Sequence, residues 1–260
     1  MELIVIGVAA CLASALTLFS GFGLGTVLTP VFALFFPVPL AIAATAVVHF
    51  ANNLFKLGLL ARQADWRVVA RFSVPATLAA LVGAGLLTWF DRLPALLDYS
   101  LAGERHEVTA VKVLIGTLIV VFALLELSPR AQSFALPARY LPLGGALSGF
   151  FGGLSGNQGA LRSAFLIRLG LSKEAFVATG VVSAVLVDAV RLVVYGAGFM
   201  AEHFGRSQQL ILPVAVGTVC AFAGALIGRR LLRKVTLRTV QLVVAGMMLL
   251  VGGGLASGLL

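Results

Sequence analysis

Apolar runs of roughly 18–25 residues, the length that crosses a bilayer core, alternate along the chain with short charged connections. Two of these runs are interrupted. The first breaks at Ser20-Gly21-Phe22-Gly23-Leu24-Gly25-Thr26 and the second at Gly152-Gly153-Leu154-Ser155-Gly156-Asn157-Gln158-Gly159. Irregular backbone inside apolar sequence is tolerated only where protein or a water-filled cavity satisfies the freed N–H and C=O groups. The two breaks are therefore expected to face each other and to form a binding site.

The spacing predicts an all-α polytopic membrane protein made of two repeats in one integrated membrane domain. The first repeat covers residues 1–128, with a broken hairpin over 3–36 and spans near 40–60, 72–90 and 108–127. A linker follows at 129–139. The second repeat covers 140–260, with a hairpin over 141–169 and spans near 172–200, 210–227 and 240–260. The arm from Gly25 to Phe36 is about 18 Å long at 1.5 Å per residue, too short to cross alone, which favours a re-entrant hairpin. The segment Asp91–Glu107 reads as the longest polar connection. Sliding the halves by 134 residues puts Gly25 on Gly159 and Thr45 on Thr179; a slide of 135 puts Asn53 on Asp188 and Lys56 on Arg191. Paired interrupted helices at matching positions of two halves point to a transporter's binding site.

Composition agrees with the pattern. The chain has 260 residues, 60% hydrophobic and 11% charged, where a soluble domain would be about a quarter charged. Mean hydropathy is +1.06. The formal charge of +9 sits between apolar runs, not along a soluble face, so nucleic acid is not an expected partner. Cys11 and Cys220 lie in apolar helix without metal or CxxC spacing, and no cofactor or metal is expected. The run Leu3–Phe19 lacks a basic n-region and a clear cleavage site and belongs to the repeat, so it is expected to be retained.

Loop charge decides between orientations. If each broken segment folds back, Arg62, Arg67, Arg71, Arg130, Arg139, Arg168 and Lys173 share one face with Arg229, Arg230, Arg233, Lys234 and Arg238, twelve in all. Only Arg92, Arg105, Lys112 and Arg206 lie opposite. Single crossings by the broken segments would divide the same residues ten to six. Twelve against four fits the positive-inside rule better, and gives two inverted-topology repeats, each a Gly-broken re-entrant hairpin followed by three transmembrane helices. Both termini are then outside the cytoplasm, with the chain multi-pass in a cell inner membrane.

Three bases remain inside apolar helix: Lys56, Arg162 and Arg191. Charge at that depth is costly unless paired or hydrated, and marks function by default. Arg162 lies one turn past Gly159, near a helix N-terminus that favours anions; a planar guanidinium there suits a carboxylate, sulfonate or sulfate group. Its alternative is anchorage to backbone carbonyls. Arg191 has Asp188 three residues away, so a pair within the helix competes with a substrate role. Lys56 is expected to snorkel towards the basic face. Asn52 and Asn53 could contact an oxyanion or bond between helices. Ser155, Gly156, Asn157, Gln158 and Gly159 form one tip, Gly23, Gly25 and Thr26 the other, and both sets are candidate lining residues whose alternative role is capping. His49 and Asp188 are taken as the only proton sites within spans.

The paired glycine breaks (Gly21-Phe-Gly-Leu-Gly25 and Gly152-Gly-Leu-Ser-Gly-Asn157), a Thr-bearing second span and a Pro/Gly-marked third resemble the TauE/SafE family over nearly the whole chain. The resemblance implies transport of a sulfur-containing anion such as sulfite, sulfoacetate, a taurine-related compound or an aryl sulfonate. The expected partners are that small anion and the lipid bilayer, with room left for a homodimer. The expected mechanism is alternating access, with an anion channel as the alternative. Gly153-Leu154-Ser155-Gly156 also fits the GxSG of rhomboid-type proteases. The only later His is His203, in a charged loop, so an enzyme is not expected.

Overall fold

The computed structural model describes residues 1–20, 23–101, 103–128, 137–167, 169–200, 208–231 and 237–260. Ten α-helices and one small β-hairpin are described. The first half holds α1 (Glu2–Ser20), α2 (Leu24–Ala33), α3 (Val38–Leu60), α4 (Trp66–Asp91), β1 (Ala95–Leu101), β2 (Glu104–Thr109) and α5 (Ala110–Leu127). The second half holds α6 (Leu141–Ser155), α7 (Gly159–Leu166), α8 (Lys173–Tyr195), α9 (Ile211–Leu231) and α10 (Leu237–Ser257).

Helix starts follow local chemistry. The Asp65 side chain caps α4 by accepting from the amides of Arg67 (3.0 Å) and Val68 (3.1 Å). Thr109 caps α5 and Ser172 caps α8 in the same way. Pro37 and Pro39 set the entry to α3. Both glycine breaks interrupt helix. Gly156 ends α6 in the left-handed region at φ 82°, and Gly23 precedes α2 at φ 127°, conformations that other residues rarely adopt. The tip residues Gly21 and Phe22 lie outside the described residues, as do most of the linker and the loops holding Arg168, His203, Arg206, Arg233 and Lys234.

Among the described residues, five helical stretches are long and apolar enough to cross a membrane: Val38–Gly58, Trp66–Asp91, Ala110–Leu127, Lys173–Gly198 and Gln208–Gly228. The exposed face of α4 is as apolar as its buried one. On α4, Val74, Leu78 and Val82 follow one another at a spacing of four and are 60%, 62% and 63% exposed, while Ala76, Ala80 and Ala84 on the opposite face are fully buried. A surface of that kind fits lipid, not water. The chain is an all-α membrane protein that crosses the bilayer several times. All ten residues of α2, in contrast, are buried within protein.

The halves pack through reciprocal helix pairs. The opening helix of each half lies on the later span of the other: α1 on α9, and α6 on α4. The matching helices α3 and α8 pack together, as do α5 and α10. The α4–α6 contact is a backbone approach. A Cβ added at Gly145, Gly149 or Gly153 of α6 would overlap the carbonyl oxygens of Phe72, Ala76 and Ala80 of α4 in turn. Small residues at a spacing of four let two helix backbones meet, which is how membrane helices associate without a hydrophobic drive between them. Two side-chain contacts join α4 or its entry to α8: Ser73 Oγ to Ser183 Oγ at 2.8 Å, and the Asp65 amide to Thr179 Oγ1 at 3.0 Å.

The connection Asp91–Glu107, expected only as the longest polar connection, carries regular structure. Strands β1 (Ala95–Leu101) and β2 (Glu104–Thr109) pair antiparallel, with Asp98 opposite Glu107, Tyr99 opposite His106 and a bulge between Ala95 and Leu97. An exposed Arg105–Asp98 pair at 2.7 Å and a Tyr99–His106 stack lie along it. The Tyr99 hydroxyl donates to the Ser257 carbonyl at the end of α10, docking the hairpin on the last helix.

Candidate functional site

The two breaks meet. A Cβ at Gly25 would stand 3.0 Å from the Gly156 carbonyl oxygen and 4.0 Å from the His49 ring, so first tip, second tip and α3 converge at one level. The tip side chains mostly serve the tips. Ser155 is fully buried and its hydroxyl donates to Phe151 O, while Asn157 Nδ2 donates to Ser155 Oγ at 3.2 Å. Ser148 Oγ on α6 donates to the Gln158 carbonyl at 2.8 Å, pinning the return into α7.

Asp188 is the hub of a buried polar network. Its Oδ1 accepts from Gln158 Nε2 at 2.9 Å and from Arg191 Nε at 3.0 Å, with Arg191 Nη2 at 2.8 Å. Its Oδ2 lies 2.6 Å from His49 Nδ1. Arg191 is fully buried and its Nη1 also points to Gly152 O at 3.4 Å. Tyr195, one turn on, donates its hydroxyl to Gly153 O. Tyr195 thus holds a carbonyl near the broken end of α6, and Arg191 adds to the Gly152 carbonyl that already accepts from the Gly156 amide. Four elements, α3, α6, α8 and the second tip, are tied through one carboxylate.

Beside this network is a cleft between α3, α7 and α8. His49, Asn52, Asn53 and Lys56 line it from α3, Arg162 and Ser163 from α7, and Gly180 from α8. Lys56 and Arg162 are only 4% and 5% exposed, so two cations face one small space inside the membrane domain. The Arg162 guanidinium lies over Gly180, where an added Cβ would come within 3.3 Å of Nε, and its Nη1 makes a long 3.5 Å contact with Gln158 Oε1. Asn52 accepts from Ser14 Oγ at 3.1 Å, while its Nδ2 is buried without a partner. The hydroxyls of Thr29 and Thr45 are buried without partners too, but of these three groups only Asn52 lines the cleft. A buried unpaired donor costs about 1–3 kcal/mol unless something accepts from it. Asn53 Nδ2 is held near its own helix, 2.9 Å from His49 O. No carboxylate lines the cleft among the described residues.

Positions 135 residues apart differ in charge. Asp188 and Arg191 form a pair at i, i+3, whereas Asn53 and Lys56 at the corresponding places put an uncharged amide beside the lysine. The second-half pair is internally compensated; the first-half pair adds positive charge to the cleft. Two basic side chains and an amide donor without an acceptor thus converge on one small space, a donor set that an anion would satisfy.

Of the residues expected to form the site, the structure brings His49, Asn52, Asn53 and Arg162 to the cleft. Gly23, Gly25, Thr26, Ser155, Gly156, Asn157, Gln158 and Gly159 build the adjoining tips, and Asp188 and Arg191 form the network behind His49. Lys56 is placed differently from its expected snorkelling position: it is buried and turned into the cleft, because Arg162 and Gly180 from the other half enclose it. Glu126, near the end of α5 and 7% exposed, is a carboxyl group in a span that the expectation of His49 and Asp188 as the only proton sites passed over, and it does not line the cleft. The pattern also passed over Ser14 and Tyr195, although each was visible as a polar group within an apolar run.

A family model described as "Sulfite exporter TauE/SafE" matches residues 6–255. No curated protein and no solved structure matches the chain.

Proposed function

The chain belongs to the sulfite exporter TauE/SafE family, and from that premise we propose that it carries a small sulfur-containing anion, a sulfonate, sulfite or a sulfoacetate-like compound, across the cell inner membrane by alternating access. The family is one of sulfur-anion transporters rather than enzymes. The observation that carries the reading is the cleft itself: buried Lys56 and Arg162 beside the unpartnered Asn52 amide, at the level where the two breaks meet. A tetrahedral oxyanion offers several acceptors at once, enough for a guanidinium, an ammonium and an amide. The protease alternative has no support, since Ser155 is enclosed and its hydroxyl is committed to Phe151 O.

Alternating access in this reading is one half rocking against the other around the cleft. Reciprocal packing of α1 on α9 and of α6 on α4 supports two repeats that exchange roles, and the twelve-to-four loop charge supports their opposite orientation. The test is binding of methanesulfonate, sulfite, sulfate and thiosulfate to the purified chain and to Arg162→Ala and Lys56→Ala. Truncating a buried charged contact costs about 2–5 kcal/mol, so affinity should fall by roughly thirtyfold or more in each variant. Undiminished affinity in both variants would remove the cleft as the site.

A further inference from the structure

We propose that His49 is a proton site linked to the anion cleft, so that each anion is bound and carried together with one proton; this rests on the anion reading above. His49 is the one member of the Asp188 network whose side chain reaches the cleft: it is 12% exposed, whereas Asp188 and Arg191 are at 0%. A carboxylate oxygen that already takes Arg191 and Gln158 on its other oxygen acts only as an acceptor. The 2.6 Å contact therefore puts the hydrogen on Nδ1 and leaves the Nε2 lone pair as the place where a proton can add.

Asn53 turns that addition into a signal. Its Nδ2 is 3.3 Å from Nε2 and 3.1 Å from Nδ1, near-equal distances that put the amide over the face of the ring. With a hydrogen on both ring nitrogens the ring is a cation, which repels an N–H held over its face. The amide is then driven from the ring into the cleft, where an oxyanion accepts from it. The proton comes from water on the side to which the cleft is open, adds at Nε2, and returns to water on the other side.

The charges around His49 explain why proton and anion arrive together. Asp188 and Arg191 face it from α8 and offset each other; Arg162 faces it from α7 and Lys56 lies further along its own helix. The buried helix α2 brings no titratable side chain. Helix α9 meets α3 here at Gly217, against Val48. An imidazolium would thus join two cations in the cleft, an arrangement that becomes favourable when an anion is present and is unfavourable when it is not. The linkage is reciprocal: the anion favours the proton as much as the proton favours the anion. For a monovalent sulfonate the pair carries no net charge, so the membrane potential, about 2.3 kcal/mol per charge per 100 mV, does not act on the moving cargo.

The experiment is calorimetry of methanesulfonate, an anion that brings no proton of its own, binding to the full chain in lipid nanodiscs. Titrations are run in amine buffers of different ionisation heat that carry no oxyanion, Tris and triethanolamine with bis-Tris below pH 7, from about pH 6 to 9, bracketing the usual histidine range. The expected result is a buffer-dependent heat that corresponds to one proton taken up per anion, with affinity falling about tenfold per pH unit on the alkaline side. His49→Gln should lose both the buffer dependence and the slope. Equal heats across the buffers and a flat pH profile for the unaltered chain would overturn the proposal while leaving the anion site standing, and that arm needs no variant to fold. A slope retained in His49→Gln would overturn it as well. If methanesulfonate, sulfate and thiosulfate all fail to bind at every pH, the anion reading falls and the linkage falls with it.

Discussion

Asn53 on α3 and Asp188 on α8, 135 residues apart, each stand three residues before a buried base, Lys56 and Arg191. Asp188 carries the charge that pairs with Arg191, whereas Asn53 puts an uncharged amide before Lys56. Asp188 also binds α3 through His49 at 2.6 Å, so the Asp188–Arg191 pair is braced on the helix that carries Lys56.

Asn53→Asp should abolish the anion site while leaving the fold. A carboxylate about 4 Å from a bound anion repels it by about 4 kcal/mol at an effective dielectric of 20, so methanesulfonate affinity should fall at least a hundredfold. Binding calorimetry checks the affinity and a thermal melt checks folding. An affinity unchanged within error would remove the sign argument.

Gly180→Ala should weaken anion binding about tenfold, or about 1.4 kcal/mol, with little change in melting temperature. The added methyl would press on Arg162 at 3.3 Å, and the guanidinium, a flexible group, would shift in the cleft. A loss of stability without a loss of affinity would show that Gly180 serves helix packing alone.

Asp188→Leu and Arg191→Leu should each destabilise the chain by about 3–5 kcal/mol, because each leaves a buried charge uncompensated, and the double variant should recover most of that loss. Denaturation of the four chains in one detergent gives the cycle. Additive losses would mean that Arg191 is held chiefly by Gly152 and Tyr195, not by Asp188.

Gly149→Leu should separate α4 from α6, since the side chain would drive into the Ala76 carbonyl. Overpacking costs about 1–3 kcal/mol in soluble cores, and a backbone contact has less room to adjust. Gly253→Leu is the control, as nothing lies within 4 Å of a Cβ there. A melting temperature equal for both variants would argue against the crossing as a stabilising contact.

Much of the site was legible because single-residue chemistry marks it. Glycine breaks in apolar runs and bases inside spans stand out without any fold, and that is how Arg162, Asp188 and His49 were singled out. Lys56 was read less well because its burial depends on Gly180 and Arg162, more than a hundred residues away. The hairpin over 95–109 was missed for a different reason. Ala95–Leu101 is exposed along almost its whole length, so no alternation of apolar and polar residues betrays a strand. Gly145, Gly149 and Gly153 display their spacing openly, yet the last of them falls inside the break and was absorbed by it. A packing stripe and a flexible tip draw on the same residue.

At the α5–α10 crossing, Gly116 approaches the Gly252 carbonyl and Gly252 approaches the Gly116 carbonyl. The two glycines meet reciprocally, each against the other's carbonyl. A reciprocal backbone contact of this kind can stay in place while the helices around it turn. With little side-chain bulk between the two backbones, nothing there has to unlock, and the crossing can act as a fulcrum. Gly116→Leu, which drives a side chain into the Gly252 carbonyl, should therefore slow uptake into proteoliposomes; unaltered uptake would move the pivot elsewhere.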